Sequence, residues 1–231
     1  MPWELVIFDN DGVLVDSERL ANKVLAGILS DLWRPTTFDQ CVATYLGGTI
    51  ARVRALVEEE SGGPLPSDFE DRYYRELFAA FDSGLAAVRG VTGVVDRLAV
   101  AGTRFCVASS GSRQRIERSL RQVGLWDRFQ GRAFSAEEVA SGKPAPDLFL
   151  HAAASTGADP AATVVVEDSP LGVEAALAAG MAVIGFAAVT PPERLAGADA
   201  VVTTMEQIGD LLATGRPLTM SSGGARGYHS D

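Results

Sequence analysis

Phe8-Asp9-Asn10-Asp11-Gly12-Val13-Leu14-Val15-Asp16-Ser17-Glu18 places two aspartates and a glycine directly behind the segment Trp3-Glu4-Leu5-Val6-Ile7-Phe8. That segment lacks strict alternation of apolar and polar residues. It reads as a strand buried on both faces, hence parallel and central. Ligands gather beyond the carboxyl ends of such strands, so topology puts Asp9 and Asp11 at a site. Two apart in extended chain, their side chains share a face at a separation of about 6.5–7 Å. Asp11-Gly12 between apolar residues is also a hairpin-turn signal, because both tolerate positive φ. This stretch alone leaves both readings open.

The rest of the chain bears on the choice. After Gly90, short apolar runs alternate with helical patterns, the signature of βαβ units. Strands are expected at Arg104 to Ala108, Gly131 to Phe134, Thr163 to Val166, Ala182 to Phe186 and Ala200 to Val202. Helices fit at about 91–101, 112–123, 146–157, 170–179 and 206–213. Between the first strand and this region the pattern is helical. Ser17 is a candidate N-cap for 18–32, where Leu20, Val24, Ile28, Leu29 and Leu32 keep helical spacing, and further helices fit at about 49–60 and 67–82. The expected architecture is α/β: a Rossmann-like parallel sheet core formed by 1–16 and 85–213, with a small all-α cap domain inserted over 17–84. Residues 214–231, rich in Gly, Ser and Arg, read as a flexible tail.

With 231 residues, the chain is long enough for a sizeable core. The formal net charge of −10 argues against a nucleic-acid surface and against charge-driven membrane binding. There is no spanning apolar stretch and no N-terminal targeting pattern, so a cytoplasmic monomer is the expectation. Cys41 and Cys106 lack metal-ligand or redox spacing, and Cys106 sits in an apolar run as a buried reduced thiol. His151, in an alanine-rich helical pattern, reads as structural.

Each remaining polar cluster follows an expected strand. Ser109-Ser110-Gly111-Ser112 opens a helix, where hydroxyls and free N–H groups can meet an anion. Lys143 lies between Gly142 and Pro144, and Pro144 and Pro146 stiffen its loop. Glu167-Asp168-Ser169-Pro170 follows the β-branched run Thr163 to Val166. Taken singly, these segments also read as a serine-rich cap, a solvated lysine and an ordinary helix start. Jointly they gather acidic groups, a hydroxyl and a lysine on one rim. Carboxylates brought so close need a cation, and hard oxygen donors without thiolates or paired histidines point to Mg²⁺. Serine, lysine and metal together then form a receptor for a phosphoryl group.

With these motifs the sequence resembles the haloacid dehalogenase superfamily, in the branch of β-phosphoglucomutase and small sugar-phosphate phosphatases. The match is carried by Asp9-Asn10-Asp11-Gly12-Val13, Ser109, Lys143-Pro144 with Ala145-Pro146-Asp147, and Glu167-Asp168-Ser169-Pro170-Leu171-Gly172. The resemblance implies that Asp9 is a nucleophile forming an aspartyl-phosphate, and that Asp11 is the general acid and base. Ser109 and Lys143, with Ser110 beside them, would bind the phosphoryl oxygens. Asp9, Asp168 and the Asp11 carbonyl would ligate Mg²⁺, with Glu167 an adjacent ligand. An Asp11 protonated near neutrality would need its pKa raised from about 3.9.

The same resemblance orders the chemistries. Dehalogenases lack the second aspartate, which is present here as Asp11. Phosphonatases use a cap lysine, and Lys23 does not match its motif. The mutase group has a histidine in the first cap helix and basic residues around a cap glycine. Here those segments read Glu18-Arg19-Leu20-Ala21-Asn22 and Tyr45-Leu46-Gly47-Gly48-Thr49-Ile50. The expected function is a Mg²⁺-dependent phosphatase of a small phosphorylated metabolite, a sugar or sugar-acid phosphate. A sugar-phosphate mutase is the alternative, and an inactive binding protein of the same fold the second. Substrate contacts in the cap would come from Gly47, Gly48, Thr49 and Arg52, with Arg54 also able to point inward. Hinges are expected near Asp16 and Ser83-Gly84.

Overall fold

A computed structural model describes residues 3–45 and 50–214. Gly47, Gly48, Thr49 and residues 215–231, on which some of the expectations fall, lie outside the described residues. The elements are β1 (Leu5–Phe8), α1 (Ser17–Leu32), α2 (Phe38–Tyr45), α3 (Ile50–Ser61), α4 (Phe69–Gly84), α5 (Val91–Val100), β2 (Arg104–Ser109), α6 (Arg113–Gln122), α7 (Trp126–Phe129), β3 (Ala133–Ser135), α8 (Asp147–Thr156), β4 (Thr163–Glu167), α9 (Pro170–Ala178), β5 (Ala182–Phe186), β6 (Ala200–Val202) and α10 (Met205–Thr214).

The six strands form one parallel sheet in the order β3-β2-β1-β4-β5-β6. β1 is central, with Leu5 opposite both Arg104 and Thr163. Its four residues are fully buried, as an unbroken apolar run requires. Val6 and Phe8 face one layer with α5, α6 and α10, where Phe129 meets Phe8 edge to face. Leu5 and Ile7 face the other, with α8 and α9. The chain leaves β1 at Asp9, between the ends of β2 and β4. That position is the topological switch point at which such sheets bind ligands.

Helices α1 to α4 pack around an apolar cluster separate from those of the sheet. Phe69, Tyr73, Leu77 and Phe81 repeat every fourth residue along α4 and are all buried. Helix α2 was not resolved in the sequence reading, although its signal is present: Thr37 Oγ1 accepts from Gln40 N–H while Gln40 Oε1 accepts from Thr37 N–H, a reciprocal capping arrangement. The two connections between helices and sheet run side by side, with Asp16 N–H donating to Ala86 O and Val15 bridged antiparallel to Ala87. Ser83-Gly84, expected as a hinge loop, instead ends α4, and the connection begins at Leu85.

A second contact joins the layers. Arg118 of α6 grips Asp82 of α4 through both carboxylate oxygens at 2.8 and 2.9 Å, and the Gln122 amide donates to the Phe81 carbonyl. Among the described residues no helix is long and apolar enough to cross a membrane.

Candidate active site

A cavity of about 690 Å³ opens beyond the carboxyl ends of β1, β2 and β4. Asp9, Asp11, Ser109, Ser110, Lys143, Glu167, Asp168 and Arg52 all line it. Strand-end topology brings all of them together except Arg52, which comes from α3. Arg54 is not among them, because it turns to Glu70, Glu58 and the carbonyls of Pro66 and Ser67.

Lys143 is the electrostatic hinge of one side. Its Nζ lies 2.6 Å from Asp9 Oδ1 and 2.5 Å from Glu167 Oε1, and it also donates to the Ala108 carbonyl at 3.3 Å. Burial alone would lower its pKa, but the charges of Asp9 and Glu167 outweigh burial and hold it above its ordinary value. One cation shared by two buried carboxylates leaves Asp9 short of compensation. Burial, opposed by Lys143 but reinforced by Glu167 and Asp11, pushes the Asp9 carboxyl up to about 7. Both Glu167 oxygens are engaged: Oε1 faces Lys143, and Oε2 accepts from Ser169 N–H at 2.8 Å and Ser169 Oγ at 2.9 Å. The residue expected as an adjacent ligand thus also positions the lysine. The same packing requires Gly172, where a Cβ would fall 1.8 Å from Glu167 Oε1.

Asp11 is held differently. Ser17 Oγ donates to its Oδ1 at 2.6 Å, and Arg115 Nη2 reaches the same oxygen at 2.7 Å. Asn10 Nδ2 donates to Oδ2 at 3.2 Å and also to Ser119 Oγ, also 3.2 Å away. Burial would raise the Asp11 pKa, yet the Arg115 charge and these hydrogen bonds hold it below the ordinary value. This reverses the expectation of an upward shift. Ser17 is likewise not the N-cap of α1. The cap position falls on Asp16, which makes no side-chain capping bond, and the Ser17 hydroxyl serves Asp11 instead.

Ser109, at the end of β2, is 1% exposed, and its Oγ accepts from Gly111 N–H at 3.0 Å. Ser110 is exposed in the cavity wall. Asp168 follows β4, just before the Ser169 hydroxyl that caps α9 by accepting from Gly172 N–H. Gly12, with φ of +80°, sits against Asp168, and a Cβ there would fall 1.9 Å from Asp168 Oδ2. Only glycine brings the two loops that close.

Three residues that the sequence reading missed complete the site. Glu18, in the first turn of α1, lines the cavity, and burial and the Asp11 charge push it up to about 7. Arg115 comes from α6, and Tyr73 from α4. The acidic residue at the end of the opening motif was the available signal for Glu18. Arg115 had none, since it lies on a helix face 104 residues from its partner.

The carboxylates Asp9, Asp11, Glu18, Glu167 and Asp168 outnumber the lining cations Arg52, Arg115 and Lys143. Burial, then Glu18, Glu167 and Asp9, push Asp168 well above the ordinary carboxylate range, and its side chain has no hydrogen-bond partner among the described residues. Such an excess of hard, underused oxygen fits a divalent cation such as Mg²⁺. Among the described residues no three acidic, histidine or cysteine side chains form a ready-made cage. The expected ligand residues Asp9, Asp11, Asp168 and Glu167 all line this cavity, and Mg²⁺ commonly uses only one or two carboxylates.

The haloacid dehalogenase-like hydrolase family model matches residues 3–180, and the chain belongs to that family. It is 31% identical to hexitol phosphatase A of Escherichia coli (strain K12) over 207 residues, which cover 87% of this chain and 91% of the relative. It is 27% identical to 6-phosphogluconate phosphatase of the same strain over 186 residues, 80% of this chain and 83% of the relative. Among solved structures, a haloacid dehalogenase-like protein of unknown function from Agrobacterium tumefaciens superposes with a TM-score of 0.83 at 35% identity, covering 92% of this chain and 98% of its own.

Proposed function

We propose that the protein is a Mg²⁺-dependent phosphatase that hydrolyses a small phosphorylated sugar, polyol or sugar acid through an aspartyl-phosphate on Asp9. One observation carries the reading: Asp9 stands at the end of the central strand with one oxygen fixed by Lys143 at 2.6 Å. The other oxygen, Oδ2, has no hydrogen-bond partner among the described residues and is the attacking atom. The named phosphatase relatives support the same class.

In the first half-reaction Asp9 Oδ2 bonds to phosphorus, the ester P–O bond breaks, and Asp11 gives a proton to the departing alkoxide. In the second, Asp11 takes a proton from water, which attacks the phosphorus and returns Asp9. Lys143 and Ser109 bind equatorial phosphoryl oxygens, with Ser110 beside them. Asp9, Asp168 and the Asp11 carbonyl would hold Mg²⁺, which when bound neutralises charge on the phosphoryl group and the surrounding carboxylates. Ser17 and Arg115 keep Asp11 ionised, the state that suits a base. Its acid step requires that the Arg115 contact weaken and that Asp11 take up a proton from solvent as substrate enters, the proton it then gives to the alkoxide. The 17–84 helices act as a cap that excludes bulk water, moving about the paired connections at Asp16 and Ala86.

The test is phosphate release from a panel of sugar, polyol, sugar-acid and nucleotide monophosphates, with Mg²⁺ and with excess chelator. Release that needs the metal and disappears in Asp9→Asn is expected. Turnover that survives Asp9→Asn would overturn the mechanism.

A further inference from the structure

We propose that Arg115 is a specificity-determining residue whose guanidinium donates to a hydroxyl oxygen of an uncharged, polyhydroxylated leaving group; this rests on the phosphatase reading above. Arg115 stands in the first turn of α6, immediately beyond the Ser109-Ser112 loop. Its Nη2 is committed to Asp11 at 2.7 Å, whereas its Nε is buried and has no hydrogen-bond partner. A buried N–H with no partner in the protein is costly to leave unsatisfied. The side chain nonetheless lines the cavity and is 16% exposed. A small turn of the guanidinium presents its uncommitted donors to the cavity, where a ligand oxygen supplies the partner that the protein does not.

The neighbours indicate which kind of oxygen. Gln114, Tyr73 and Tyr74 add polar side chains to this wall, and Phe78 adds an apolar surface. Planar donors and acceptors beside aromatic rings suit a carbon chain bearing hydroxyls. A second anion fits less well, because the Arg115 charge is already matched by Asp11 at 2.7 Å, whereas a neutral hydroxyl needs only a free donor.

The experiment compares two proteins that do not turn over, Asp9→Asn and Asp9→Asn with Arg115→Lys. Their affinities for glucitol 6-phosphate, 6-phosphogluconate and n-hexyl phosphate are measured by calorimetry with Mg²⁺. Lysine keeps the positive charge beside Asp11 and removes Nε–H and the planar fork. The Asp9→Asn protein is expected to bind glucitol 6-phosphate about tenfold more tightly than n-hexyl phosphate, and Arg115→Lys to reduce that preference to about twofold. Equal loss for both ligands would make Arg115 a partner of Asp11 alone and overturn the inference. So would tightest binding of 6-phosphogluconate that is lost in Arg115→Lys, because it would assign the residue to a carboxylate. If Arg115→Lys does not fold, Arg115→Gln supports the same comparison. Phosphate release by the wild-type protein is scored separately. The expected preference with no release defeats only the phosphatase reading, and release with an unchanged preference defeats only the role of Arg115.

Discussion

Asp9 and Asp11 leave the same strand two residues apart and both enter a buried, charged environment, yet their carboxylates are treated in opposite ways. Asp9 shares Lys143 with Glu167 and is pushed up to about 7. Asp11 has the nearer claim on Arg115, together with hydrogen bonds from Ser17 and Asn10, and is held below its ordinary value. Burial acts on both. The difference is the number of donors per carboxylate: helices α1 and α6 supply Ser17 and Arg115 to Asp11, and the loop itself adds only Asn10. Proximity in sequence therefore says little about the charge state of neighbouring acids.

The comparison can be broken most severely at Asp9. Asp9→Asn is expected to lower turnover on the order of 10⁴-fold or more, as removal of a nucleophile acting within a unit does; steady-state phosphate release measures it. Lys143→Met strips the shared cation from Asp9 and Glu167. It should lower the rate by about 10²–10³-fold, and destabilise the metal-free protein by about 3–5 kcal/mol in urea unfolding because two buried carboxylates lose their partner. A loss below about 1 kcal/mol would mean that the carboxylates do not depend on the lysine.

Mg²⁺ sharpens the comparison from the other direction. At about 100 times its Kd it should add about 2.7 kcal/mol to stability, a rise in Tm of about 5–10 °C. Asp168→Asn should abolish most of that rise in a thermal melt with and without chelator. Ser17→Ala tests the Asp11 side, with an expected loss of about 1–2 kcal/mol. Asp11 titrates below its ordinary value in the folded protein, so the stability it contributes is complete above about pH 4 and is lost as pH falls through the folded pKa. The deficit of Ser17→Ala should therefore be full at pH 7 and shrink in acid, as urea midpoints along the pH series will report. Asp82→Asn, which breaks the exposed grip of Arg118, is the mildest change, at about 0.2–1 kcal/mol.

Much of the fold was legible. The β-branched run at Thr163-Val164-Val165-Val166 and the apolar run at Leu5-Val6-Ile7-Phe8 declare buried strands, and their order with intervening helices leaves a parallel sheet as the natural arrangement. Helix α2 escaped because eight residues show too little periodicity, even with the Thr37 and Gln40 cap in place. Ser17 was misplaced for a different reason. A serine before a helical pattern is a cap by local chemistry, and only the fold brings Asp11 within 2.6 Å of it.

The layout was readable from the chain alone: which segments are strands, and that Asp9, Ser109, Lys143 and Asp168 follow them. These follow from local periodicity and from the rule that the strands of a parallel sheet end on a common rim. Only the tertiary structure decided how the charges on that rim are shared. Ion pairing depends on distances of a few ångströms between residues such as Asp11 and Arg115, whose separation along the chain carries no information about their contact.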